Sequence, residues 1–473
     1  MQRPGGAPNQ NAPTRMTSAR PALPPTDLPP PTNRTVLLMA WPMTMMAIML
    51  HGIVVIDTYV VAGLGEAAIA ALGVAGSVAG LLLGMLSAFA MATQIRLAQA
   101  FGSGRAVGMK TGFYCGLFIN LAVATAGALL VLFYGGRLLD GLAHTPQIAA
   151  DAKRYLNVFL LVIFAEAVAL VVSSHFNACG KTRLPFYSYV ISLPVNVGAS
   201  IALIHGLGGL PEMGVSGAAA GSALGSALRT AFLALMFHRH FGSYLGVAGW
   251  LRDAFWPAFR GHLLFALPIA ATFISATLSS SVCTMIFASL NVNQFAAMVL
   301  IMPWVMIAGT IGMSWAQATG IIVAQLIGQG QRGAALDRFL SSAWRAAFVT
   351  AALVALIYLL VWLVTPILYP DLHPETRATL AQFLPILLLL PFPKESNAIC
   401  GNTLRAGGET VYVMHVFIWS QWLFRVPATA VMILWFDLSA VWVFSLLLAE
   451  ELVKLPAFHL RLFRGKWKQA DVL

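Results

Sequence analysis

Charged residues are scarce in this chain: Asp, Glu, Lys and Arg fill 10% of its 473 positions, where an ordinary soluble domain carries roughly 25%. Cysteine is scarce as well. Cys115, Cys179, Cys283 and Cys400 stand singly in apolar surroundings with no CxxC spacing, which argues against a disulfide framework or a metal site and for plain buried thiols. An apolar core of signal-peptide type is also missing from the N-terminus: residues 1–33 are rich in Pro, Asn, Thr and Ala and contain Arg3, Arg15 and Arg20, the composition of a disordered tail. What fills the chain instead is apolar, with 59% hydrophobic residues and a mean hydropathy of +0.80. No water-soluble core hides that much hydrocarbon, so the solvent of this protein is lipid.

Apolar stretches of about twenty residues or more, each able to cross a hydrocarbon layer of about 30 Å, recur along the chain. Polar punctuation divides them into twelve predicted spans, at 36–61, 67–99, 109–134, 149–177, 184–206, 214–238, 262–289, 293–327, 340–365, 376–404, 411–435 and 439–464. The expected fold class is therefore all-α, a polytopic membrane protein. The net charge of +11 would suit nucleic acid in a soluble protein, and its placement decides otherwise. With the N-terminus inside, the inner connections hold Arg105, Lys110, Lys181, Arg183, Arg239, Arg252, Arg260, Arg332, Arg338, Arg461, Arg464, Lys466 and Lys468. The outer ones hold Arg137, Lys153, Arg154 and Arg377. This asymmetry follows the positive-inside rule. It predicts a multi-pass plasma-membrane protein of a bacterial inner membrane, both termini cytoplasmic, with lipid and not nucleic acid as its surroundings.

The chain repeats itself. At an offset of 226, Leu38, Ala40 and Pro42 fall on Leu264, Ala266 and Pro268, and AQAFGSG at 98–104 falls on AQLIGQG at 324–330. A second echo, NACGKT at 177–182 against RAGGET at 405–410, has offset 228. Two tandem six-helix units are implied, and an even number of crossings relates them by a pseudo-twofold axis along the membrane normal. The expected domains are a cytoplasmic tail at 1–33, an N-terminal lobe at 34–240, an inter-lobe linker at 241–261, a C-terminal lobe at 262–467 and a short tail at 468–473. The GSGR and GQGQ turns at 102–105 and 328–331 neither follow a strand nor continue as GK[ST], so they read as helix ends and not phosphate loops.

IDTYVVAGLGEAAIAALG at 56–73, AQAFGSGR at 98–105, GVSGAAAGSAL at 214–224, LPIA at 267–270, QLIGQG at 325–330, LRAGGET at 404–410 and the terminal RGKW at 464–467 together resemble the multidrug and toxic compound extrusion (MATE) family. The resemblance covers about residues 35–467. It implies two lobes around a V-shaped cleft and antiport of protons or sodium ions against organic, often cationic, compounds, by a monomer without a resident cofactor.

Asp57 is the one acid in the first span, and a charged Asp at mid-bilayer costs roughly 2.5–3.5 kcal/mol on insertion scales, which makes it a functional candidate. Taking a carboxyl out of water favours its protonated form. The alternative is an acid near the outer interface that stays hydrated. Asp57 also matches the aspartate that family members use in the N-terminal lobe, and Asn196 matches their asparagine in the fifth helix, or else serves as an interhelical hydrogen bond. Four residues later, where the family has an aspartate, this chain has Ser200. One carboxylate with Asn196, Ser200 and Thr58 is a thin set for sodium, which wants several oxygens, so proton coupling is favoured. The family's acid in the seventh helix is missing, Ala276 standing there, and the repeat partner of Asp57 is Cys283.

Glu395, inside PFPKESN of the tenth span, faces the cleft as a cation-attracting group or is neutralised locally with Lys394. Glu166 in the fourth span is a further substrate-binding candidate. So is Met46, within the cluster of Met39, Met43, Met45, Met46 and Met49, because flexible thioethers suit varied apolar shapes, though such a cluster is more often lipid-facing or core filler. His51 and His175 read mainly as packing residues, and Arg425, Glu450, Glu451 and Lys454 as structural pairs. No HExxH, GxSxG or paired intramembrane aspartates occur, so no enzyme is expected. The competing transport reading is a flippase or exporter of a lipid-linked or anionic metabolite, since one architecture hosts several substrates.

Overall fold

The computed structural model describes residues 31–242 and 255–469. Most of the predicted N-terminal tail, most of the linker at 241–261 and residues 470–473 of the final tail lie outside them.

Each predicted span is a helix. The first lobe consists of α1 (Asn33–Ala62), α2 (Glu66–Gly102), α3 (Ala106–Leu142), α4 (Pro146–Ala178), α5 (Arg183–His205) and α6 (Val215–Phe241). The second consists of α7 (Phe255–Phe287), α8 (Val292–Gly328), α9 (Ala334–Leu368), the two arms α10 (Pro374–Leu389) and α11 (Pro391–Ala406), then α12 (Thr410–Trp435) and α13 (Ala440–Phe463). The arms form one span bent by 43°, where Pro391 removes an amide donor and its ring crowds the preceding turn. Two π-helical stretches, Ser420–Arg425 and Val431–Trp435, interrupt α12. Among the described residues ten helices are apolar and long enough to cross alone and the bent pair makes an eleventh; α13 is the twelfth, its apolar run broken by Glu450, Glu451 and Lys454.

The repeat is visible to the residue. Shifted by 226 positions, α2 falls on α8 from first residue to last. The turns match as well. Arg105 N donates to Ala100 O and Gln331 N to Leu326 O around Gly104 (φ 66°) and Gly330 (φ 77°); Lys181 N donates to Phe176 O and Glu409 N to Leu404 O around Gly180 and Gly408. Left-handed glycines thus close α2, α4, α8 and α11 by one device, which satisfies carbonyls that a helix end leaves free. The GSGR and GQGQ segments are helix ends, as expected.

Three hydrophobic cores explain the shape. One gathers the starts of α1, α3, α7 and α9 and the ends of α2, α4, α8 and α11, and so belongs to both lobes. The second holds the other ends of α1 to α6 alone, and the third the other ends of α8, α9, α10 and α13 alone. The lobes therefore share apolar contact at one end of the bundle and hold separate cores at the other, which is the V expected from the resemblance. At the closed end the contact is reciprocal. Gln99 Nε2 donates 2.7 Å to Ala406 O across the interface, and its repeat mate Gln325 donates 2.7 Å to Ala178 O. Missing side chains permit the approach: a Cβ on Gly102 would lie 2.0 Å from Gln325 O, and one on Gly328 would lie 2.1 Å from Gln99 O.

Candidate functional site: a cavity in the N-terminal lobe

Small residues on α6 build the site. Gly217, Gly221 and Gly225 recur every four positions, one face of a helix, and a Cβ at each would stand within 2.8 Å of α5: of Ile204 N, Ser200 Oγ and Asn196 Cβ respectively. Such a stripe lets two membrane helices approach backbone to backbone. The approach brings Asn196 to Ser222, whose hydroxyl accepts from Asn196 Nδ2 at 3.0 Å and donates onward to Asp57 Oδ2 at 3.4 Å. Asp57 is 6% exposed, and its second oxygen, Oδ1, has no hydrogen-bond partner; neither does Asn196 Oδ1.

These residues line a cavity of about 420 Å³ walled by α1, α2, α4, α5 and α6. Its wall is largely apolar, with glycines of α2 at Gly73, Gly76 and Gly80 leaving the space open. Glu166 and Arg229 sit on the same wall, hydrogen-bonded to each other. Ser226 Oγ also donates to Glu166 at 3.1 Å, and the Arg229 guanidinium lies 4.1 Å over the Tyr189 ring. Two buried acceptors without donors, in an apolar chamber of that size, make a place for a proton or a cation.

Several sequence readings need correction. Ser200 does not line the cavity; its hydroxyl turns to Ala218 O on the backbone of α6 at 3.4 Å, because close α5–α6 packing takes that face. Thr58 does line it, but its hydroxyl donates to Val54 O one turn back at 2.8 Å. Met46 packs against the core shared by the lobes, not on the cavity. Glu395 is 2% exposed and enters a slot on α8 where Gly312 has no side chain; a Cβ there would fall 1.7 Å from Glu395 Oε1, so the acid is buried between α11 and α8 and not open to the cleft. Glu166 does reach the cavity, already engaged by Arg229. His175 is packed edge-on against Phe237 and Phe241, and His51 Nδ1 bonds Ala47 O at 2.7 Å.

The sequence reading missed Arg229, Ser222, Tyr155 and Tyr189. Arg229 had a signal: it lies inside the predicted span 214–238, and an ionisable residue there invites the argument that singled out Asp57. The serine and the tyrosines carried none.

The second lobe uses its charges differently. Lys454 bonds Glu451 at 2.7 Å and Glu450 at 3.3 Å, Arg425 bonds Glu450 at 3.1 Å and Ser279 at 2.6 Å, and Asn397 donates to Glu451 at 2.8 Å. Cys283, at the repeat position of Asp57, lies 3.8 Å from the Thr429 hydroxyl.

The MatE family model matches residues 42–201 and again 268–431, once per lobe. An uncharacterized transporter, YisQ of Bacillus subtilis, is 23% identical over 392 residues, 82% of this chain and 85% of that one. A probable multidrug resistance protein, NorM of Bradyrhizobium diazoefficiens, is 29% identical over 243 residues, 50% of this chain and 51% of that one. Among solved structures, a transporter of the MOP superfamily from Pyrococcus furiosus shares the fold with a TM-score of 0.82 at 17% identity, over 93% of this chain and 97% of that one. The eukaryotic MATE transporter AtDTX14 does so with a TM-score of 0.80 at 18% identity, over 92% and 96%. With each lobe matched by the family model and both packed in the family's two-lobed bundle, this multi-pass membrane protein belongs to the multidrug and toxic compound extrusion (MATE) family of efflux transporters.

Proposed function

We propose that this chain exports small organic cations of amphipathic shape in exchange for protons, by alternating access, in a bacterial inner membrane with both termini in the cytoplasm. The observation that carries the reading is Asp57: a buried carboxylate with one oxygen unpartnered, on an apolar cavity beside a second unpartnered acceptor, Asn196 Oδ1. An ionised Asp57 holds a cation in that chamber. A protonated one does not, so proton loading and cation release become the two sides of one exchange. Sodium wants several oxygens, and two unpartnered acceptors, with Ser200 turned to α6, are a thin set for it.

The placement of Lys and Arg supports a cytoplasmic position for the shared core, and on that reading the cleft opens outward. Return to inward-open requires that core to part while the two separate cores come together. One charge crossing 100 mV gains about 2.3 kcal/mol, roughly a 40-fold gradient; exchanging one monovalent cation for one proton moves no net charge and draws only on the pH difference.

The test uses inverted vesicles in which a pH gradient or a sodium gradient is imposed separately, comparing the parent with Asp57→Asn. The expected outcome is cation transport driven by the pH gradient and lost in the variant. Unchanged proton-driven transport in Asp57→Asn removes the residue from the mechanism. Failure of both gradients to drive any organic cation moves the substrate class to lipid-linked or anionic compounds.

A further inference from the structure

Three charged side chains line the cavity: Asp57 from α1, Glu166 from α4 and Arg229 from α6. The other titratable groups on its wall are Tyr155 of α4 and Tyr189 of α5, both neutral phenols, while α2 contributes apolar, glycine and serine positions. Arg229 is 2% exposed, and its placement is fixed on three sides: by Glu166 Oε2, by the Ser173 hydroxyl at 3.5 Å and by the Tyr189 ring. Its guanidinium is always charged. Glu166 is gripped in turn by that cation and by the Ser226 hydroxyl.

We infer that Arg229 is a fixed counter-charge which sets the valence of the substrate: by cancelling Glu166 it leaves Asp57 as the cavity's single uncompensated charge, so the site takes monovalent cations. This rests on the coupling role of Asp57 proposed above and goes beyond it. With Asp57 ionised the chamber carries one net negative charge, and one proton brings it to zero. Without Arg229 the same chamber would carry two, admit dications, and still hold a monovalent cation after Asp57 takes up its proton. Arg229 is thus a positioning residue that acts through the charge balance, and a one-for-one exchange follows from it.

The test compares ethidium, a monovalent cation, with propidium, the same ring system carrying a second quaternary ammonium. Their binding to the purified full chain in lipid nanodiscs is followed by fluorescence at a fixed pH and again after acidification. The parent is expected to favour ethidium. Arg229→Gln should shift the preference toward propidium by about tenfold or more, as one unit charge in a partly desolvated site requires, and should retain ethidium on acidification. Glu166→Gln, with Arg229 left to cancel Asp57, should lose affinity for both dyes. The double variant restores one net negative charge and should recover the parent's preference, a rescue that a merely structural role for the pair would not produce. An unchanged dye ratio in Arg229→Gln overturns the inference, as does a folded, monodisperse double variant that fails to recover the parent's preference. If Arg229→Gln does not fold, Glu166→Gln and the double variant decide the matter alone. The failure of the coupling proposal looks different: the fixed-pH dye ratios follow Arg229, while acidification leaves ethidium bound to the parent.

Discussion

The two lobes are built on one ladder of helices but balance charge in different ways. In the C-terminal lobe Arg425, Glu450, Lys454 and Glu451 form a continuous chain of ion pairs with no surplus, and Lys394 and Glu395 run side by side into glycine positions of α8, at Gly309 and Gly312. In the N-terminal lobe Glu166 and Arg229 cancel, and Asp57 is left over beside an open chamber. A closed network holds helices together; a surplus charge next to a cavity waits for a ligand. On the reading proposed above, the C-terminal copy serves as a support and the N-terminal copy as a site.

That contrast predicts opposite outcomes from removing a charge. Lys454→Met leaves Glu450 and Glu451 buried around a missing cation, and breaking one partner of a buried pair costs about 3–5 kcal/mol. The expected result is a large fall in the thermal midpoint and loss of monodisperse protein in detergent. Asp57→Asn removes a buried carboxylate that lacks a full set of partners, so its thermal midpoint should match or exceed the parent's even as ion-driven transport fails. A Lys454→Met protein that melts like the parent would erase the distinction between the lobes.

The closed end of the bundle is where the lobes remain equivalent, and there the comparison should give equal numbers. Gly102→Val and Gly328→Val each drive a side chain into backbone of the opposite lobe, overpacking worth about 1–3 kcal/mol. Cys179 and Cys400, both buried in the shared core, report the result without added probes. Each variant should open that core and raise the rate at which a maleimide labels these thiols, by similar factors. A large difference between the two would mean that the pseudo-twofold axis does not govern gating.

How much of this was legible in the sequence depended on whether a signal was repeated or solitary. The spans were, because nearly all of them rest on some twenty residues of apolar run. The two-lobed arrangement was, because Pro42 with Pro268 and Gln99 with Gln325 hold register across the whole of the repeat. The V shape followed from resemblance, and became physical only when the buried residues separated into one shared and two private cores. Individual side-chain directions were not legible. Ser200 sits one helical turn from Asn196, on an adjacent part of the helix surface, yet close packing against Gly221 turned it toward α6 and left Asn196 on the cavity. Glu395 looked like a cleft acid until the glycine opposite it, distant in sequence, showed where its carboxyl had room. The bend at Pro391 was signalled by its proline pair, whereas the π-helical turns of α12 had no marker in composition.

The smallest predicted effect concerns the two glutamines that cross the interface. Each gives one amide hydrogen bond to the last turn of a helix in the other lobe, Gln99 to Ala406 and Gln325 to Ala178. A hydrogen bond of this kind contributes about 0.5–1.5 kcal/mol net, and when the closed end opens the freed carbonyl meets water and loses nothing further. Gln99→Ala and Gln325→Ala should therefore leave the fold and Asp57 untouched while moving the balance between outward-open and inward-open forms by up to about tenfold. Thiol labelling of Cys179 and Cys400 should rise by less than in the glycine variants. The two losses fall on the same equilibrium through separate bonds, so the double variant should show roughly the product of the single effects. A double variant no different from either single one would mean that the two bonds break as a unit, with the closed end acting as one latch and not as two independent halves.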